Sequence, residues 1–423
     1  MIPTLADTAT TIQSTLEGWE LSEGWAMFLA AVIHVALVAG FFGLPAGIFI
    51  WAERKVSGRI QDRLGPTRVG GKFGWLQAIA DGGKLIQKED LVPADADGPL
   101  FRVAPYVVVV SSLAALMFLP FSDGWIAVSL DIGLYLMLAV MSLEVIGVIL
   151  AGYASGSKWA LFGGMREAAQ MVSYEIPMSI CVVIPIITAG SLNLNEIGAM
   201  QSGWAGNWIL FNDPFTFIAF FIYFVCATAS CKRAPFDLAE AESELVAGFL
   251  TEYSGFRWSF FFLAEYASMF AVCGIAVLLF LGGWHTGIPV VDGLLDGPRY
   301  AGDFVYSWLA NLLGFTVFFS KASLLVCVQI WIRWTLPRLR IDQVMMTCLK
   351  YLVPISCVLF LGAVIWPLAL SFTGHTTWGS PTGNRAAPTM QLESRDAVPP
   401  STSALRLPRQ PLAASDSNED AGR

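Results

Sequence analysis

Charged side chains are scarce in this chain: 14% of its 423 residues are Asp, Glu, Lys or Arg and 55% are hydrophobic, where soluble domains carry roughly 25% charge. The shortage excludes a soluble fold, and the mean hydropathy of +0.61 belongs to a chain immersed in lipid. Histidine is nearly absent, with only His34, His285 and His375. The seven cysteines are scattered singly with no CxxC pair, so even Cys226 and Cys231 lack the ligand support that a metal or iron–sulfur centre needs. Neither GxGxxG nor GxxxxGK[ST] occurs, which leaves no recognisable phosphate cradle for a nucleotide. Any redox cofactor must therefore sit on another chain. Residues 1–24 hold no Lys or Arg but three Glu, so the basic start of a cleaved signal peptide is missing and a short outside segment is expected there. No internal repeat, direct or inverted, is visible, which weighs against a free-standing transporter built from inverted halves.

What is present is a series of apolar runs at 25–51, 101–121, 130–152, 167–189, 214–231, 257–283, 304–332 and 350–372, each long enough to cross about 30 Å of hydrocarbon. The expected fold is all-α, a polytopic membrane helix bundle of about eight transmembrane helices over 25–372, with large connections at 52–100 and 232–256. Eighteen of the 25 Lys and Arg fall on the face that carries those connections, against Arg299 alone in the loops opposite. By the positive-inside rule that face is cytoplasmic and both termini are outside. Within the first connection, Trp75, Leu76, Ile79 and Ile86 cluster on one side of a helical wheel, with Gln77, Asp81, Lys84 and Lys88 opposite. That segment reads as an amphipathic helix lying at the interface, against lipid or a partner protein. Residues 373–423, rich in Pro, Ser, Thr and Ala, read as a disordered outside tail.

The sharpest chemical signal is RAPFDLAEAESE at 233–244, which packs the carboxylates of Asp237, Glu240, Glu242 and Glu244 into eight residues beside lipid. If Pro235 starts a helix, steps of about 100° place Asp237, Glu240 and Glu244 within a ~60° arc. Like charges on one stripe have coupled, raised pKa values suited to passing protons; a solvated acidic loop is the bland alternative. Glu144, Glu175, Glu265 and Lys321 fall inside predicted spans, where a lipid-facing charge costs roughly 3 kcal/mol. They must face protein or water. A structural ion pair explains any one of them, whereas the set together favours a proton or ion path. His34 reads as a packing residue.

These segments resemble a known family. The acidic stretch, together with ERKVSGRIQDRLGPTRVG at 53–70, GWLQAIADGGKLIQKE at 74–89, YASGSKWALFGGMREAAQMVSYEIP at 153–177 and FLTEYSGFRWSFFFLAEY at 249–266, is similar to the quinone-chamber membrane subunit of respiratory complex I, an NADH:quinone oxidoreductase. The resemblance runs from about Trp25 to Phe372. It implies a bacterial cytoplasmic (inner) membrane subunit that is not active alone and binds no cofactor itself. Quinone would be the substrate, with flavin and iron–sulfur clusters on peripheral partner subunits. Other implied partners are the peripheral quinone-site subunits, small membrane subunits, antiporter-like subunits and membrane lipid; nucleic acid is not among them. By motif position, Arg54, Arg63 and Asp81 would border the quinone chamber. Asp237, Glu240, Glu242, Glu244 and Glu252 would line an acidic funnel beside it, and Glu175 and Glu265 would carry the charge signal onward.

Two departures from the family pattern stand out. A Glu commonly found three residues before the Arg of the RxPFD motif is Ser230 here, while Glu144 and Glu167 are acids outside the pattern. The exchange suggests that Glu144 takes over the missing carboxylate. Competing readings are the equivalent subunit of a membrane-bound hydrogenase or other ferredoxin-linked complex, a secondary transporter, and a purely structural anchor. The ADGGKL, PFDLAEAESE and TEYSG motifs favour the quinone enzyme.

Overall fold

The computed structural model describes Leu16 and residues 23–123, 125–127, 130–240, 242–293 and 304–373, all within one unit, Met1–Thr382. The expected tail at 374–423, nearly all of segment 1–22, Arg299, and the side chains of His34 and Glu242 lie outside the described residues. Helices dominate, with no strand among the described residues. They are α1 Glu23–Ile60, α2 Gln77–Gln87, α3 Gly98–Leu116, α4 Gly133–Ala154, α5 Lys158–Ala189, α6 Leu194–Ala199, α7 Pro214–Ser230, α8 Glu242–Leu245, α9 Gly255–Phe280, α10 Phe304–Thr335, α11 Ile341–Met346 and α12 Val353–Thr373. A π-helical turn, Thr347–Leu352, joins α11 to α12.

Six stretches are long and apolar enough to cross a membrane: α3, α4, α5, α9, the part of α10 from Leu309, and the run Ile341–Ala369. Beside them run α1, of 38 residues, and α7, of 17. The bundle is organised by α9, whose residues from Tyr266 to Phe280 are buried without a break. A helix apolar all round belongs in a core. Around it, α3 packs on α4, α5 lies against α4 and α7, and α10 and α1 close the other side. At the periphery, Val358, Leu361 and Ile365 of α12 are exposed on one stripe, the face expected to meet acyl chains. No residue of α2 is buried, so its apolar side awaits lipid or another protein.

The local sequence explains how these rods end. Asp213 caps α7 by accepting the Thr216 N–H at 2.6 Å, with Pro214 at the first helical position, where its missing donor is harmless. Cys231 caps the other end, and Lys232 follows with φ +57°. Farther on, Gly248 has φ +55°, and a Cβ there would collide with the Ala239 carbonyl oxygen; only glycine fits. On the facing side of the same turn, a Cβ on Gly163 of α5 would come within 2.6 Å of the Phe249 nitrogen. These two glycines clamp the acidic segment onto α5. Gly163→Val is expected to overpack this contact by about 1–3 kcal/mol and to lower the melting temperature of the detergent-solubilised assembly. An unchanged melting profile would show the clamp to be dispensable.

Candidate functional site

The acidic segment does not form the expected helix. Residues 231–240 run as turns and irregular chain, and helix resumes only in the four-residue α8. The left-handed turn at Lys232 ends α7, and Phe236, Leu238 and Ala239 are buried as anchors, so the backbone follows its apolar contacts rather than a helical repeat. The predicted stripe is thereby dispersed. Asp237 pairs with Arg338 at 3.0 Å and Glu244 with Arg166 at 2.6 Å, while Glu240 forms none of the ion pairs found among the described residues. Burial pushes the Glu240 carboxyl up to about 8, aided by Glu265 and Asp237 and opposed by Arg333 and Lys232. Glu252 is half-buried on the next turn.

Two clusters of buried charge lie behind this segment. In the first, Glu53 of α1 accepts from Arg233 at 2.7 Å, from Arg333 of α10 at 2.8 Å and from the Tyr266 hydroxyl. The same Arg233 lies 2.7 Å from Glu265 of α9, with its guanidinium 4.4 Å from the centre of the Tyr266 ring. Two carboxylates meet two guanidinium groups, and the cluster is balanced. In the second, the Lys232 ammonium is 2.7 Å from Glu144 of α4 and 3.8 Å from Glu167 of α5. Ser268 and Ser112 stand 2.6 Å and 3.1 Å from the other oxygen of Glu144. Burial alone would lower the Lys232 pKa, but Glu144 and Glu167 outweigh it and hold the ammonium above the ordinary lysine range.

Glu144 also opens onto a cleft of about 480 Å³ between α4 and α5, lined by Glu175, Ser142, Ser179, Ser230 and Ser268 among apolar side chains. Glu175 has no ion-pair partner among the described residues. Ser230 and Glu144 thus share one cavity, the placement on which the exchange of one acid for another depends.

At the basic end of α1, a pocket of about 710 Å³ lies between α1 and α2, lined by Gly47, Ile48, Trp51, Phe73, Trp75, Leu76, Ala78 and Ile79. Arg54 of α1 pairs with Asp81 of α2 across the same junction, and Gln77 donates to Asp81 at 3.0 Å. The Trp51 indole donates to the Phe73 carbonyl at 2.8 Å. Arg63 is exposed in the connection that follows, bonded to Gln61 at 2.7 Å and outside this lining.

Lys321 is not brought to the carboxylates. Its ammonium donates to the carbonyls of Leu281, Gly283 and His285 at 2.6, 3.2 and 2.5 Å and lies 4.3 Å from the Trp208 ring. Glu265 and Leu281 are about 24 Å apart along α9 at its rise per residue, so Lys321 caps the far end of that helix, where a cation complements the carbonyls.

Sequence reasoning missed Glu53, Lys232, Arg233, Arg333 and Tyr266 as members of these clusters. The available signal is the pair of cations directly beside the densest acid in the chain, which a count of basic residues by face uses for topology alone.

The NADH dehydrogenase family matches residues 32–364. An Anaeromyxobacter dehalogenans protein, by name the H-type subunit of NADH-quinone oxidoreductase, is 44% identical over 359 residues, 84% of this chain and 86% of the relative. A Chlorobaculum parvum protein of the same name is 44% identical over 349 residues, covering 82% and 94%. One from Geobacillus kaustophilus is 43% identical over 354 residues, covering 81% and 96%.

Because the Glu240 carboxyl is pushed up to about 8 against an ordinary value of 4.5, it holds its proton at neutral pH. The group leaves stability untouched below 4.5, withdraws it as the pH climbs from 4.5 to 8, and costs a constant amount above. Glu240→Gln should therefore be neutral at acidic pH and stabilising at alkaline pH. Infrared difference spectra taken between pH 6 and 9 should lose a protonated-carboxyl band that this variant lacks; a band present in both would reassign the proton.

Proposed function

Because the chain belongs to the NADH dehydrogenase family, whose relatives here are a membrane subunit of the NADH-quinone oxidoreductase complex, we propose that it builds the quinone-access chamber and the acidic path coupling quinone reduction to proton translocation. The observation that carries the first half is the apolar pocket between α1 and α2. Its lining of aromatic and aliphatic side chains suits the isoprenoid tail of a membrane quinone. The Arg54–Asp81 pair at the same junction supplies a charged end toward which a polar head group would be oriented. Pocket and pair join the bundle to a helix with no buried residue, which is how a mouth open to the bilayer would be made.

Support for the second half comes from the order of acids through the protein. Reducing a quinone consumes two electrons and two protons, and local charge changes on the pocket side. Glu240, Asp237 and Glu265 lie next along the buried charges, followed by the Lys232 cluster and the cleft with Glu175. Most of these acids have fixed cationic partners, so Glu240, Glu175 and the Glu144–Glu167 pair are the groups in this reading that exchange protons. Glu144 stands in for the carboxylate absent at Ser230. Electrons arrive from flavin and iron–sulfur clusters on peripheral subunits, and the charge signal passes to small and antiporter-like membrane subunits. The chain lies in the bacterial inner membrane with eight crossings and both termini outside.

Filling the pocket tests the chamber. Gly47 and Ala78 face each other across it, with a Cβ on Gly47 lying 3.8 Å from that of Ala78. In the assembled complex, Ala78→Phe should lower quinone reduction roughly tenfold, equivalent to about 1.4 kcal/mol, while NADH oxidation by a water-soluble artificial acceptor is unchanged. Full quinone reduction with the pocket filled would remove the chamber from this place.

A further inference from the structure

Lys232 and Arg233 are neighbours in sequence, yet they serve different clusters. The divergence is made by the left-handed conformation at Lys232, φ +57°, which a residue other than glycine adopts only against steric resistance from its own Cβ. Arg233 enters the balanced cluster of Glu53, Glu265 and Arg333. Lys232 enters one that is not balanced. Its ammonium meets Glu144 from α4 and Glu167 from α5, with Glu265 of α9 as a more distant negative neighbour and the Phe249 ring 5.8 Å away. All three members of the cluster are buried: Lys232 is 7% exposed, Glu144 4% and Glu167 0%.

With every group ionised this trio carries a net charge of −1 in a medium that strongly disfavours an uncompensated charge. It has room for one proton. The two carboxylates are also unlike each other. Glu144 has the nearer ammonium and two serine hydroxyls and faces the cleft, whereas neither oxygen of Glu167 has a hydrogen-bond partner. A buried carboxylate with no donor is an empty berth for a cation.

We propose that Lys232 is a sliding counter-cation that governs proton entry from the cleft: its ammonium moves between Glu144 and Glu167, and the carboxylate it leaves takes the proton. The displacement is roughly 1 Å, the difference between its 2.7 Å and 3.8 Å separations. When the ammonium sits on Glu167, Glu144 keeps only its serine partners, and an O–H bond forms on Glu144 as one breaks on a hydronium ion in the cleft. When the ammonium returns, that O–H bond breaks and the proton leaves to water or to the next carboxylate. No bond to the lysine nitrogen changes, so Lys232 is a positioning residue. The assignment rests on the proton-path reading above and deepens it.

The test uses the whole complex in sealed vesicles, following proton uptake per NADH oxidised and the pH profile of coupled quinone reduction. A fixed neutralising cation would be replaced without loss by Lys232→Arg. A sliding one would not, because the planar fork can bind both carboxylates at once and lock them. Lys232→Arg should assemble, keep uncoupled electron transfer and pump roughly tenfold more slowly, with a shifted pH profile. Glu167→Gln, which removes the second berth and adds no strain, should do the same; it decides the matter if the arginine variant does not assemble. Wild-type pumping and pH profile in either assembled variant overturn the proposal. Glu240→Gln separates the levels. If it impairs pumping while the other two do not, only the sliding cation falls. If it too pumps normally, the acidic path itself is wrong.

Discussion

A charge placed inside an apolar bundle must find a counter-charge or a proton, since removing it from water costs several kcal/mol that packing cannot return. That requirement shapes the basic end of this protein. Glu53, Glu265, Glu144, Asp237, Glu244 and Asp81 each have a Lys or Arg within ion-pair distance. Pairing on this scale weakens any account in which every intramembrane acid passes protons. Fixed pairs hold helices together, and the groups left without one among the described site residues include Glu240 in the segment after α7 and Glu175 in the cleft.

The hub is a short stretch of α9. Within four residues, Glu265 meets Arg233, Tyr266 donates to Glu53, and Ser268 reaches Glu144. One turn of a rigid, buried helix therefore touches both charge clusters, and a displacement at either would be felt at the other. From the α7 side, Lys232 and Arg233 span the same two clusters through a single left-handed residue. A bundle with this wiring can transmit a change in charge without large motion of any rod.

The far end of the bundle is built on different lines. Lys321, an intramembrane cation that in isolation invites a functional reading, is held by three backbone carbonyls at the end of α9. Its partners are main-chain atoms, which leave no trace in a side-chain pattern. The same limit explains the acidic segment. Its charge spacing fits a helical face, but Phe236, Leu238 and Ala239 are buried, and their anchoring sends the chain along a different course.

Composition and hydropathy run lengths determine the class of the molecule, because only a self-satisfied helix can present an apolar surface to lipid. The motif strings indicate the family, and the density of acid around 237–244 locates the chemistry within a few residues. Which cation answers which acid was decided by tertiary structure alone. Lys232 meets Glu144 across 88 positions, Arg233 meets Glu53 across 180, and Arg333 meets Glu53 across 280. Such pairings follow from helix packing, and a pattern of periods 2 and 3.6 along one strand of sequence holds no information about them.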